Sequence, residues 1–181
     1  MAAENTAEQL RHVTALCRDI FEKKLKDYGA SWRIMRSESI TDQIFIKATR
    51  IRTLETKGDA KVDEGILPEF IGIVNYGIIG QIQLAEGYVE AVDMTADQAL
   101  EQYDSYMEQT LDLLAAKNHD YDEAWRKMRI GSYTDFILMK LLRTKQIEDN
   151  KGVTLISEGI DANYKDMINY SLFALIKLEY E

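Results

Sequence analysis

The chain has 181 residues, 46% apolar and 29% charged, with a formal net charge of −9. That is the balance of a globular protein able to bury about 70% of its extended-chain surface without disulfide staples. The single cysteine, Cys17, excludes an intramolecular disulfide framework, and no Cys/His cluster stands ready for structural zinc.

A reduced, cytoplasmic setting follows as the expectation. The opening MAAENTAEQLRHV lacks the basic start and apolar run of a signal peptide. The longest apolar stretch, residues 66–84, is interrupted by Glu69, Asn75, Gln81 and Gln83, so no membrane span is expected. The acidic balance disfavours duplex nucleic acid. Yet residues 23–57 hold nine basic and four acidic side chains, and an acidic protein with such an island could draw a phosphate-bearing ligand into a pocket. A solvated helix face explains the island equally well.

A shift of 93 residues lays the chain over itself. Between residues 27–57 and 120–150, 13 of 31 positions are identical, where chance gives about two. After a one-residue insertion the match resumes at Glu64-Gly65-Ile66 over Glu158-Gly159-Ile160, and at Asn75-Tyr76 over Asn169-Tyr170. The chain is therefore read as two three-helix repeats, residues 1–93 and 94–181, joined in one compact all-α domain: a six-helix bundle with pseudo-twofold symmetry. In chain order, the first helix of each unit is predicted to start at a capping box, Thr6 with Gln9 or Thr95 with Gln98. Leu10, Val13, Cys17, Ile20 and Phe21, or Tyr103, Tyr106, Leu113 and Leu114, recur along it at helical spacing. It ends near a repeated Asp-Tyr pair. A connector carrying W-R-x-M-R follows. The second helix is predicted to begin at Thr41 or Thr134, with Asp42 or Asp135 in the first turn. The third runs from about Pro68 or Asp161 and is apolar on most sides, which marks a central helix.

Polar identities between diverged copies are the informative ones, because core positions tolerate many apolar substitutes. Ile44, Ala48, Ile51 and Glu55 form one stripe on the second helix, as do Ile137, Leu141, Thr144 and Glu148. A glutamate thus continues an apolar stripe twice, and burial there requires a partner cation or metal; a frayed last turn would leave it simply wet. Lys47 with Arg50, and Lys140 with Arg143, flank the stripe. In the third helix of the second unit, Glu158, Asp166 and Asn169 fall within about 80° of one another. With Glu148 they form a candidate set for Mg²⁺, a hard cation that prefers oxygen. The competing reading has Glu158 capping the helix and Asp166 paired with an arginine of the other unit. The first unit has Gly72 where Asp166 stands, so its site is expected to be degenerate and the second better preserved. Arg33, Arg36, Arg126 and Arg129 could cradle phosphates, or bridge to Asp27, Asp42, Asp120 and Asp135. Trp32 and Trp125 read as core anchors, with stacking on a base as the alternative. His12 and His119 share no repeat position, and Cys17, replaced by Thr110, reads as a small core residue.

The string K-x-x-D-Y-x-x-x-W-R-x-M-R, then K-x-x-R, then E-x(7)-D-x-x-N-Y, resembles the nucleotide modification associated domain 1 family of small helical bacterial and phage proteins. The better match is the second unit, through Lys117, Asp120, Tyr121, Trp125, Lys140, Arg143, Glu158, Asp166, Asn169 and Tyr170. The first matches through Arg50 and then keeps Glu64, Asn75 and Tyr76. Asp122 stands where that family usually has glycine, and Ala162 where it has a further acid. The resemblance implies a role around modified nucleotides. The carboxylate-lined plan also loosely resembles the all-α nucleoside triphosphate pyrophosphohydrolases, although of their E-x-x-E…E-x-x-D signature only Glu158-x-x-Asp161 matches one half. The expectation is a protein that binds a small nucleotide, extending to Mg²⁺-dependent phosphohydrolysis, with a non-catalytic nucleotide- or protein-binding module as the alternative. A homo-oligomer is compatible with either.

Overall fold

The computed structural model describes residues 2–57 and 65–181, and all regular structure among them is helical. Six long helices follow in order: α1 (Ala2–Tyr28), α2 (Ser37–Lys57), α3 (Leu67–Glu86), α4 (Ala96–Tyr121), α5 (Ile130–Asp149) and α6 (Ile160–Tyr180). A single 3-10 turn joins α1 to α2 (Ser31–Ile34) and another joins α4 to α5 (Ala124–Lys127). The helix order of one half repeats in the other. No helix among the described residues is long and apolar enough to cross a membrane.

The helix starts differ from the sequence expectation in three places. Thr95 and Gln98 form the reciprocal capping box at α4. Thr6 lies inside α1, which already runs from Ala2, and its hydroxyl is spent instead on Glu123 and Arg126 of the second unit. α2 and α5 each begin four residues before the repeated threonine, so Thr41 and Thr134 are buried inside their helices. Glu64 lies outside the described residues. After α1, Gly29 takes the left-handed conformation the turn requires (φ +68°). The second unit makes the same turn with Asp122 and Glu123 at φ 49° and 57°, a conformation that costs a side-chain-bearing residue about 1 kcal/mol.

Both central helices, α3 and α6, are buried on most sides and pack antiparallel on each other. Small residues permit the close approach. A Cβ added at Gly77 would lie 2.6 Å from Ile168 Cγ1, and one at Gly80 would lie 2.7 Å from the Tyr164 ring. Around this pair, α2 and α5 run antiparallel and exchange equivalent bonds: Thr134 donates to Glu55 (2.8 Å), and Thr41 donates to Glu148 (3.3 Å). Arg52 pairs with Asp135, and Lys145 with Asp42 (3.6 Å). The reciprocity is that of a pseudo-twofold axis between the two helices. Each stripe glutamate thus finds a hydroxyl of the other unit. Both 3-10 turns are anchored from the central helices at equivalent positions. Gln83 donates to the carbonyls of Trp32, Arg33 and Met35, and Lys177 donates to the Arg126 carbonyl (2.8 Å). Trp32 and Trp125 are both buried, beside Phe21 and stacked on Phe173 (4.4 Å) respectively.

Two substitutions probe this packing. Gly80→Ala drives a methyl into a fully buried tyrosine ring, so it is expected to cost about 1–3 kcal/mol by overpacking. Trp125→Ala empties a stacked core site and is expected to cost about 3–5 kcal/mol. Urea titrations measure both; midpoints unchanged from wild type would contradict the packing described.

Candidate functional site

An open cleft of about 760 Å³ lies in the first unit, among the end of α1, the Trp32 turn, α2 and the start of α3. Its floor is apolar, with Phe21, Leu25, Ile71 and Ile79, because these positions continue the inward stripes of α1 and α3. The repeated motif supplies Lys24, Tyr28, Trp32, Lys47, Asn75 and Tyr76 to its walls, and Ser31 and Glu69, which are not repeated, also line it. Lys24 is exposed and makes no ion pair with a described residue. The stem of Lys47 lies across α3 at Gly72, where a Cβ would come within 2.7 Å of its Cδ and Cε. The absence of a side chain at 72 is what lets the lysine span the cleft. Its ammonium stands 5.7 Å from the centre of the Tyr76 ring and 3.9 Å from Glu69, a carboxylate held more tightly by Arg50 (3.0 Å). Burial, and then the neighbouring Tyr28, push the Tyr76 phenol above its ordinary range. Asn75 is a wall rather than a free donor, since its amide is spent on the Cys17 carbonyl and the Tyr103 hydroxyl. Burial also pushes the Cys17 thiol up to about 12, which leaves it inert at neutral pH.

The same place in the second unit is filled. Asp166 stands where Gly72 leaves space, and it bridges Lys140 (2.8 Å) and Lys117 (3.1 Å), the counterparts of Lys47 and Lys24. Phe173, at the position of Ile79, lies flat on Trp125, Tyr133 packs beside it, and Tyr170 packs on Tyr133. The open cleft therefore belongs to the first unit, whose site the sequence marked as degenerate.

The four residues expected to converge on Mg²⁺ do not do so. Glu148 is turned across the pseudo-twofold to Ser37 (2.8 Å) and Thr41. Glu158 is exposed in the connector, two residues before α6 begins, so helical phase does not apply to it. Asp166 is neutralised by two lysines of its own unit, not by an arginine of the other. Asn169 is buried with its carbonyl oxygen unpartnered. Its counterpart Asn75 receives that bond from Tyr103, whose place in the first unit is held by Leu10, which has no hydroxyl to offer. Among the described residues, no group of three or more His, Cys, Asp or Glu side chains could hold a metal ion.

The proposed phosphate-binding cations divide similarly. Arg33 is 2% exposed and is a structural clamp, bonded to Asp93 (3.1 Å), Gln83 and the Gly87 carbonyl (2.7 Å). Arg126 lies over the Trp125 ring and bonds Glu123, Thr6 and Gln9. Neither uses the repeated aspartates, because Asp42 and Asp135 serve the α2–α5 pairing. Arg36 and Arg129 are exposed, and neither lines the cleft. Arg50 holds Glu69, while Arg143 lines a separate cavity beside the connector before α6. Of the eight cations and Trp125, Lys47 alone lines the cleft, beside Trp32, the tryptophan of the first unit. Lys24, Tyr28 and Tyr76 complete it, and the same K-x-x-D-Y and N-Y strings already contained them.

Against known proteins, the family model described as nucleotide modification associated domain 1 matches residues 24–84 and again residues 117–178. No curated protein and no solved structure matches the chain.

Glu148 provides a pH test of the cross-unit contact. Burial, and then Glu38 and Asp42, raise its carboxyl above the ordinary glutamate range, against the pull of the Ser37 and Thr41 hydroxyls. The folded state therefore binds this proton more tightly than the unfolded state, and ionisation costs stability as pH rises from the ordinary value through the raised one. Glu148→Gln keeps an acceptor for the hydroxyls and removes the charge. It is expected to raise the melting temperature at pH 7, with the advantage fading below about pH 4.3, where glutamate is protonated in both states. A lower melting temperature at pH 7 would contradict this.

Proposed function

The chain belongs to the nucleotide modification associated domain 1 family, and from that premise we propose that it binds a nucleotide in the cleft of its first unit. The observation that carries this reading is the contrast between equivalent positions. Motif side chains line an open cleft in one unit, and the same positions are closed by Asp166 and its two lysines in the other. Lys24 and Lys47 supply two positive charges at one end, suited to a phosphate or diphosphate. Tyr28, Tyr76 and the edge of Trp32 offer aromatic surface over an apolar floor, suited to a base, and stacking on such surfaces is worth about 1–3 kcal/mol. A volume of about 760 Å³ falls within the range of small-molecule sites.

Magnesium enters this reading as a counter-ion carried by the phosphates. Hydrolysis is not part of it, because among the described residues the carboxylates such a step calls for stand apart. Among the described residues Glu69 is the one acid lining the cleft, and it lies closer to Arg50 than to Lys47.

The test copies one unit onto the other. Gly72→Asp introduces the carboxylate that closes the second unit, and the atoms nearest its Cβ are those of the flexible end of Lys47. Calorimetric titration with deoxynucleoside mono-, di- and triphosphates is expected to show binding by wild type. Binding should weaken at least tenfold in Gly72→Asp and in Lys47→Gln, with melting temperature held or raised in Gly72→Asp. Undiminished affinity in both variants would overturn the assignment to this cleft.

A further inference from the structure

The two units neutralise their lysine and arginine pairs with different carboxylates, and this leaves a different cation over in each. In the first unit, Glu69 holds Arg50 and approaches Lys47, so Lys24 makes no ion pair with a described residue. In the second, Asp166 holds Lys140 and Lys117, while the counterpart of Glu69 is Asn163, an amide. Arg143, the counterpart of Arg50, consequently makes no hydrogen bond or ion pair with a described residue.

That arginine lines a cavity of about 730 Å³ formed by α5, the start of α6 and the connector between them. Asn163 lies 94% out of solvent at its wall, with its amide nitrogen donating to the Gly159 carbonyl (2.9 Å). Thr154, whose hydroxyl donates to the Ser157 carbonyl, braces the connector. Glu158, at the exposed rim, makes no pair with Arg143. On the same connector, Leu155 and Ile156 are 99% and 98% exposed, an unusual place for two large aliphatic side chains. A planar guanidinium without a counter-ion beside uncovered apolar side chains suits a ligand with an anionic group at one end and an apolar or flat body at the other.

We infer that the cavity at Arg143 is a second binding site, separate from the first unit's cleft, that takes the phosphate group of a small organic phosphate whose body covers Leu155 and Ile156. The site is the charge complement of the first. Moving the neutralising carboxylate from Glu69 to Asp166 transfers the unpaired cation from the α1 side of the unit to the α5 side.

The experiment titrates ¹⁵N-labelled full-length protein with inorganic pyrophosphate, and then with adenosine 5′-monophosphate, following arginine Nε–Hε and backbone amide resonances. The expected result is saturable movement of the Arg143 Nε–Hε signal and of the amides of residues 153–158, with larger shifts at Leu155 and Ile156 for the nucleotide. Affinity read at the amides of residues 153–158 should fall at least tenfold in Arg143→Gln. It should fall likewise in Asn163→Glu, which restores the acid of the first unit, and should be unchanged in Lys24→Gln. Arg143→Gln removes an exposed side chain without a partner, so it tests the site even where Asn163→Glu disturbs folding. Movement confined to residues around Lys24 and Lys47, or binding at residues 153–158 that persists in Arg143→Gln, would overturn the inference. The first outcome would leave the reading of the first cleft standing, so the two claims fail separately.

Discussion

The bundle depends on how closely α3 and α6 approach, and Tyr164 occupies one of the two close contacts that glycines of α3 permit. Its ring fills the space that Gly80 leaves open, fully buried. Its hydroxyl lies 2.9 Å from the Thr41 hydroxyl and 3.3 Å from that of Ser37, and the same two groups bond Glu148. One side chain of α6 is thereby tied to α2 of the first unit, and through it to α5 of the second. Burial pushes the Tyr164 phenol up to about 12, against the pull of its hydroxyl partners, so it stays neutral over the physiological range. A buried polar network of this kind fixes register as well as contributing energy, because a sliding helix would leave several polar groups unsatisfied at once.

The repeat, the helix number and the centrality of the third helix of each unit were legible because they rest on periodicity and on identity between copies. Thirteen matched positions cannot be spread over unrelated architectures, and an all-round apolar α3 has no stable place except the middle. What was not legible was the partner of each charge. The repeated Glu55 and Glu148 continue apolar stripes and so are expected to need a partner cation or metal if buried. The hydroxyls that satisfy them come from 79 and 107 residues away in sequence. Asp166 had the phase of a ligand, yet helical phase is blind to Lys117, which approaches from a different helix. Arg33 and Arg126 were visible as a repeated pair, but Asp93, Gln9 and Thr6, their actual partners, share no repeat position with one another.

The same limits explain why the open cleft lies in the unit with fewer matches to the motif. A motif scores residue types, and the second unit has more of them, including Asp166. In three dimensions that aspartate closes the space between two lysines, and the glycine in its place keeps the space open. After duplication, one carboxylate changes place and the two copies cease to be equivalent. Phe173 for Ile79 and Tyr133 for Ile40 enlarge the difference by filling the second unit with aromatic rings.

The chain has two tryptophans, one at the open cleft and one under the stacked Phe173, and they provide separate optical reporters for the two units. The most direct measurement is the tryptophan-selective emission of Trp125→Phe, in which Trp32 is the remaining tryptophan, and of Trp32→Phe, in which Trp125 is, during titration with a purine nucleotide. Binding in the first cleft predicts saturable quenching of Trp32 in the first variant and an unchanged Trp125 signal in the second. Quenching of Trp125 with a silent Trp32 would place the ligand beside the stacked Phe173, away from both the first cleft and the Arg143 cavity, and contradict the account.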